Sequence, residues 1–195
     1  MTNIRSSLNS NPIIAACSFK EIDSAMLSPV EIILMMQAGI GDLFSTKCVQ
    51  TSRKKQLLVH IDLIRGITGD RESLEYIKQT TPHIGIVSTK GTTIRLARRI
   101  GLTAVQRIFL IDTQSLRNSI ESLKSSKPDA VEIMPGIATG IIRELKSQIN
   151  CPLIAAGLLR STDEIQAAIQ AGADGISCSS KELWHYSLNS NIHMT

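Results

Sequence analysis

Eight short apolar runs alternate along the chain with longer stretches of helical spacing, and this alternation limits the fold more than any other feature. The runs are rich in β-branched residues and have the length of strands. They lie at residues 13–17, 32–36, 57–62, 84–88, 103–107, 130–134, 153–156 and 175–178. Because they are apolar along their whole length, they are typical of parallel strands that are covered on both faces.

Strict alternation of strands and helices predicts a parallel sheet, and eight units predict a closed (β/α)8 barrel of the TIM type. With 195 residues, the chain is at the short limit for this fold, which usually needs about 200 or more. The alternative is an open doubly wound sheet. We expect one domain over residues 1–195, with a core at about 12–186, an irregular second unit around 39–56, and a flexible start and tail.

Composition excludes several classes of protein. With 43% hydrophobic residues the chain can bury a core, so it is not a disordered protein. It has no apolar run long enough for a bilayer and no apolar segment near its polar start that resembles a signal peptide. The four cysteines are scattered without zinc-ligand spacing, which favours small core residues. We expect a cytoplasmic protein with no membrane partner, metal or cofactor.

The positive charge is uneven. Residues 1–100 carry 13 Lys and Arg against 8 Asp and Glu, whereas residues 101–195 carry 8 against 9. No acid occurs between Glu75 and Asp112, a stretch with six basic residues. Such asymmetry indicates an anionic partner, although basic helix faces are most often solvated surface.

Two basic groups are candidates for RNA contacts. Arg95, Arg98 and Arg99 have the spacing of one helix face. The second group, Arg53, Lys54 and Lys55, ends the helical region before the third strand, where a basic turn also stabilises the helix dipole. Because only 3% of residues are aromatic, contacts with RNA should be electrostatic rather than stacked.

Polar residues follow the last two strands, where barrels often bind phosphate. Gly157 would allow an anion to approach the backbone closely, and residues 177–180 offer hydroxyl and amide groups at the predicted start of a helix over 181–184. The candidate phosphate ligands are Gly157, Ser177, Ser179 and Ser180. The simpler interpretation is a turn followed by a helix cap.

Charged residues also lie at the ends of the middle strands. Asp62 is a candidate acceptor for ligand hydroxyls, and His60 shares its strand face without a third residue that would complete a metal site. Glu132 interrupts an apolar strand and needs a partner, for which Lys90, Arg107 and a ligand hydroxyl are the candidates. A structural ion pair is the alternative.

Several segments, taken in order, resemble the glycerol-3-phosphate-responsive antiterminator family (glycerol uptake operon antiterminator regulators). They cover most of the chain from about Pro12 to Trp184 and occur at residues 60–66, 85–90, 106–112, 127–137, 156–161 and 172–184. The resemblance implies a (β/α)8-type barrel that senses glycerol 3-phosphate and, when liganded, binds the leader messenger RNA of glycerol-catabolism operons without catalysis. The loops around Gly157 and Ser179 would then hold the phosphate. Asp62, Lys90, Arg107 and Glu132 would serve the glycerol end or balance charge.

Two other classes of function remain open from the sequence. A barrel enzyme, such as an isomerase, aldolase or synthase, could act on a small phosphorylated substrate with Lys90 as its reactive amine. A scaffold protein would leave the polar loops without a function. The sequence also leaves open a homo-oligomer.

Overall fold

The computed structural model describes residues 3–187 and contains a closed barrel of eight parallel strands, as the alternation predicts. A short ninth strand, β4, pairs only with the last two residues of β2. The strands are β1 (Ile13–Ser18), β2 (Ile32–Gly39), β3 (Gln56–His60), β4 (Ile64–Arg65), β5 (Ile84–Ser88), β6 (Ala104–Phe109), β7 (Ala130–Met134), β8 (Leu153–Ala156) and β9 (Gly175–Cys178). Around the barrel they follow the order β1-β9-β8-β7-β6-β5-β3-β2, and β1 pairs with β2 to close it. The open-sheet alternative is therefore wrong.

The helices lie between the strands on the outside of the barrel, apart from the first, which precedes β1. They are α1 (Ile4–Ser10), α2 (Ile22–Leu27), α3 (Ile40–Leu43), α4 (Thr46–Lys54), α5 (Arg71–Thr80), α6 (Gly91–Arg99), α7 (Thr113–Ser126), α8 (Thr139–Lys146) and α9 (Thr162–Gln170). The second unit, expected to be irregular, holds two of them, α3 and α4. The predicted third strand ends early, because Asp62 lies in a 3-10 helix (Ile61–Leu63) rather than in β3.

Alternation along the strands divides the buried apolar residues into two layers. Outward side chains such as Ile33, Val59 and Ile133 pack against the helices in the larger core cluster. Inward side chains such as Leu34, Leu58 and Val105 fill the barrel interior in a second cluster. Both faces of each strand are therefore buried, which explains the continuous apolar runs.

The amino-terminal segment, expected to be flexible, contains helix α1. Asn3 caps it by accepting a hydrogen bond from the amide of Arg5. Ile4 and Leu8 are each 2% exposed and belong to the interior cluster, so α1 closes the barrel at the amino ends of the strands. Gly175 faces this helix, because a Cβ at that position would lie 2.5 Å from Leu8 Cδ2.

The helix predicted over residues 181–184 is not present. A turn leads instead into a 3-10 helix (Leu183–His185), in which Trp184 is buried and donates from Nε1 to the carbonyl of Cys178 at 2.9 Å. Most of the predicted flexible tail lies outside the described residues, which end at 187. Across residues 3–187, the helices are too short or too polar to span a membrane.

Candidate ligand-binding cavity and basic face

A cavity of about 320 Å³ opens at the carboxyl ends of the strands, and we call it the mouth cavity. Six of the eight barrel strands or the loops that follow them contribute to its wall. The lining residues are Ala16, Cys17, Ser18, Glu21, Met36, Gln37, Arg107, Met134, Ala156, Gly157, Leu158, Leu159, Ser177, Cys178 and Ser179. The carboxyl end is where barrels of this fold carry their functional sites.

Arg107 supplies the buried positive charge of the mouth cavity. It points inward from β6, is 5% exposed, and donates from Nε to Glu132 Oε2 at 2.6 Å. These residues are directly paired across β6 and β7, so the strand register places the carboxylate beside the guanidinium. Arg107 also contacts the sulfur of Met36 at 3.4 Å. Glu132, which interrupts an apolar strand in the sequence, thus has its partner inside the barrel.

Glu132 and His60 each leave a buried polar atom without a partner. Neither Glu132 Oε1 nor His60 Nδ1 forms a hydrogen bond within the part of the chain that the structure describes. Burial and the nearby charge of Arg107 hold the pKa of His60 below its ordinary value, against the opposing effects of Asp62 and Glu132. The interior beneath the mouth cavity is therefore polar on this side, with a neutral histidine at pH 7.

Loops after β8 and β9 form the opposite wall. Gly157 and Leu158 are consecutive residues with positive φ values of 77° and 60°, which turn the chain sharply at the end of β8. The amides of Gly157, Leu158, Leu159, Ser179 and Ser180 donate no hydrogen bond within residues 3–187. Turns with successive free amides form concavities that bind anions. Trp184 holds the β9 end in place through its bond to Cys178.

Four of the predicted ligand residues line the mouth cavity, namely Gly157, Ser177, Ser179 and Arg107. Ser180 lies just beyond it. Asp62 lies outside its wall and accepts hydrogen bonds from the hydroxyl of Ser88 at 2.9 Å and from the amide of Thr89 at 2.8 Å. Lys90 is exposed at the N-cap of α6 and is also outside the wall.

The loop after β1 contributes polar residues that the sequence analysis did not identify. Glu21 accepts hydrogen bonds from the amide of Ser18 at 3.1 Å and from its hydroxyl at 2.8 Å. These bonds hold the pKa of Glu21 below its ordinary value. Lys181 approaches the same carboxylate at 3.7 Å. The spacing of Ser18 and Glu21 at a strand end is a capping-box pattern, and this signal could have pointed to the loop.

The two cysteines at the mouth cavity are not reactive thiolates. Burial raises the pKa of Cys17 to about 12 and that of Cys178 to about 11. Both thiols are therefore protonated at neutral pH. In residues 3–187, no cluster of three or more His, Cys, Asp or Glu side chains has the arrangement of a metal site.

Four of the six RNA candidates lie at the other end of the barrel. Arg53 and Lys54 end α4, and Arg98 and Arg99 end α6, so both groups face the amino ends of the strands. All four side chains are exposed. Arg98 forms an ion pair with Asp129. These four of the six predicted residues therefore share one face of the molecule, opposite the mouth cavity.

The other two candidates make specific contacts inside the protein. Lys55 donates from Nζ to the carbonyls of Ser28 and Val30, each at 2.6 Å. Burial holds its pKa below the ordinary value. Arg95 donates to the hydroxyl of Ser125 at 2.9 Å on the side of the barrel.

Comparison with known proteins identifies relatives over nearly the whole chain. The family model described as glycerol-3-phosphate responsive antiterminator matches residues 13–184. The uncharacterized protein YgcP of Escherichia coli is 28% identical over 178 residues, which are 91% of this chain and 93% of that protein.

Two of the solved structures that are similar to this one are described as antiterminator or antiterminator-related proteins. The glycerol uptake operon antiterminator regulatory protein of Listeria monocytogenes superposes with a TM-score of 0.84 at 25% identity, covering 91% of this chain and 96% of the other. A glycerol uptake operon antiterminator-related protein of Thermotoga maritima gives 0.77 at 26% identity, covering 89% and 98%. With a family model that spans the barrel from β1 to Trp184, this chain belongs to the family of glycerol-3-phosphate responsive antiterminators.

Proposed function

We propose that the mouth cavity binds glycerol 3-phosphate, and that the liganded protein binds the leader RNA of a glycerol-catabolism operon so that transcription passes a terminator. The observation that carries the sensing half is the set of free amides at Gly157, Leu158 and Ser179 opposite the buried guanidinium of Arg107. Backbone amides and a guanidinium are the groups that proteins use to bind phosphate. The family description names the same ligand.

The phosphate would lie against the loops after β8 and β9, where Ser177 and Ser179 add hydroxyl donors. The glycerol hydroxyls would then face the loop after β1 and the end of β2, where Glu21 and Gln37 line the cavity. Glu132 contributes by holding the Arg107 guanidinium in place rather than by direct contact, because it is 1% exposed. Direct roles for Asp62, Lys90 and Ser180 stay predictions from the sequence.

No step of catalysis is part of this proposal. The reactive amine of an aldolase mechanism would have to lie in the mouth cavity, and Lys90 lies outside it. The cavity wall described above contains no lysine, and its thiols are protonated. Conversion of a triose or pentose phosphate that is lost in Lys90→Ala would overturn this part of the proposal.

Calorimetric titration with glycerol 3-phosphate tests the sensing half. We expect binding and a higher melting temperature, because a ligand that binds only the folded state stabilises it. Glycerol and inorganic phosphate, each offered alone, serve as controls and should bind more weakly. Absence of binding at millimolar concentration would contradict the proposal.

Transcription in vitro on a template with the leader and its terminator tests the regulatory half. We expect glycerol 3-phosphate to increase the read-through that the protein causes, because the ligand must favour the RNA-competent state. Read-through independent of the ligand would contradict a sensing role. A homo-oligomer and a cytoplasmic location stay predictions, and light scattering after gel filtration checks the first.

A further inference from the structure

A second cavity, of about 290 Å³, lies at the amino end of the barrel, and we call it the amino-end cavity. It is on the opposite side of the molecule from the mouth cavity and shares no lining residue with it. Its wall is formed by α1, the end of α4, the starts of β3 and β5, and the residues just before β2 and β6. The interior cluster that includes Leu58 and Val87 separates the two cavities.

Positive charge is concentrated at the rim of the amino-end cavity. Arg53 and Lys54 line it, are exposed, and form no ion pair with any described residue. His83, from the segment before β5, is on the same wall and is also exposed. Arg99, at the end of the neighbouring helix α6, extends the charge beyond the rim. Such a rim attracts the phosphates of a polyanion.

The wall inside the rim is polar and carries an unused acceptor. Gln56 Oε1 is buried and accepts no hydrogen bond within residues 3–187. Thr103 and Ser7 place hydroxyl groups on the same wall, and Glu31 adds a carboxylate. A buried acceptor without a partner is costly unless a ligand donor reaches it. Amino and imino groups of nucleobases are such donors, and proteins read unpaired RNA bases through these edges.

We propose that the amino-end cavity binds one unpaired nucleotide of RNA, with the base against Gln56 and the flanking phosphates on Arg53 and Lys54. This inference rests on the RNA half of the proposed function and gives it a location. The chemistry of the cavity matches that of a nucleotide, because the cations at the rim suit the phosphates and the hydrogen-bonding groups inside suit the base. Recognition by hydrogen bonds agrees with a chain that offers few aromatic side chains for stacking.

Fluorescence anisotropy with a labelled single-stranded RNA of about 16 nucleotides tests the rim. Arg53→Ala/Lys54→Ala should weaken binding and flatten the slope of log K against log salt by about 1.4, because two phosphate contacts are lost. The matched control is Arg117→Ala/Lys124→Ala, which removes two exposed charges from α7. If both double variants bind equally well, the inference is wrong.

Titration with the four ribonucleoside 5′-monophosphates tests the inner wall, with ribose 5-phosphate as the base-free reference. At least one nucleotide should bind more tightly than ribose 5-phosphate, and Gln56→Leu should remove that difference while leaving ribose 5-phosphate binding unchanged. Should Gln56→Leu not fold, Gln56→Met provides the same removal of the acceptor. Equal binding of all five ligands to the natural protein would overturn the inference.

These results separate the inference from the proposed function. Suppose glycerol 3-phosphate promotes leader binding, but Arg53→Ala/Lys54→Ala behaves as its control. RNA then binds elsewhere, and the inference fails while the proposed function stands. If the nucleotides bind at Gln56 and glycerol 3-phosphate changes neither RNA affinity nor read-through, the inference stands and the proposed function fails.

Discussion

The two ends of the barrel carry cavities of similar volume but opposite construction. The mouth cavity, of about 320 Å³, presents backbone amides and one guanidinium that is 5% exposed and held by a buried carboxylate. The amino-end cavity, of about 290 Å³, presents exposed cations on flexible side chains. A fixed, buried set of donors suits one small anion of defined shape, whereas exposed charge suits a long polyanion.

The two cavities lie at opposite ends of the barrel and are separated by its interior. Inward residues such as Leu34, Leu58 and Val105 form an apolar layer between the two ends. If glycerol 3-phosphate binds the mouth cavity and RNA binds the amino end, as we propose, the two sites can be coupled only through the strands, the surrounding helices or α1.

Breaking the buried ion pair should produce the largest effect. Glu132→Leu leaves Arg107 charged and buried without its partner, so the free energy of unfolding should fall by about 3–5 kcal/mol in urea titrations. The double variant Arg107→Met/Glu132→Leu is the control and should recover much of this loss, because no charge stays buried. A single variant as stable as the natural protein would mean that the pair is dispensable.

Truncating the helix that closes the amino end should have the next largest effect. Leu8→Ala leaves a space in the interior cluster, and the free energy of unfolding should fall by about 2–5 kcal/mol. Leu27→Ala, at a side chain that is 86% exposed, is the matched control and should change it by less than about 0.5 kcal/mol. Glycerol 3-phosphate affinity should stay unchanged in Leu8→Ala, because the mouth cavity is at the other end.

A methyl group at Gly157 should affect only the mouth. Gly157 has φ of 77°, and a Cβ there would lie 2.7 Å from Met134 Cε on the cavity wall. We expect Gly157→Ala to weaken glycerol 3-phosphate binding about tenfold, or about 1.4 kcal/mol, in calorimetric titrations. Gly140→Ala, at a helical position with no atom within 4 Å of the new Cβ, is the control. Equal affinity in both variants would contradict an anion site at this loop.

The smallest expected effect is a dependence of stability on pH that arises from His60 in the barrel interior. The pKa of His60 lies below its ordinary value of 6.5 in the folded protein, because burial and Arg107 oppose its protonation. At a pH between the folded and the unfolded pKa, His60 is protonated in the unfolded chain but not in the folded one. The stabilisation of the folded state by neutral His60 is therefore complete above pH 6.5 and declines as the pH falls below it. Asp62 and Glu132 act in the opposite direction and moderate the decline.

Melting curves at about pH 8 and about pH 5.5 measure this contribution. His60→Met cannot titrate, so its melting temperature should fall less over that range than that of the natural protein. His83→Gln removes an exposed histidine and should keep the natural pH dependence. If His60→Met loses as much stability on acidification as the natural protein, the histidine does not contribute.

Much of the fold could be predicted because its signals are local. All eight barrel strands were expected from apolar runs, and the position of each differs from the structure by a few residues at most. Helix α1 escaped prediction because its seven residues are mostly polar, and only Ile4 and Leu8 are buried in the barrel interior. The 3-10 helix at Leu183–His185 replaced an expected helix because Trp184 is buried and anchored to the end of β9.

The candidate site was less predictable. Position at a strand end correctly suggested that Gly157, Ser179 and Arg107 lie near the mouth, but the same argument placed Asp62 and Lys90 there. Asp62 instead accepts hydrogen bonds from Ser88 and Thr89 at the end of the neighbouring strand β5. Strand order alone does not say which of several polar side chains turns toward the cavity, because that depends on the inward or outward phase of each strand end.

The amino-acid sequence alone specified the eight strand-and-helix units, because hydrophobic periodicity acts over a few residues. It also carried the uneven charge in its first half. Three features depend on the folded chain, namely the Glu132–Arg107 pair, the closure of the barrel by α1, and the position of Arg53, Lys54, Arg98 and Arg99 at the end opposite the mouth cavity. The reason is that closure and register bring together residues far apart in the chain, and no local pattern records those distances.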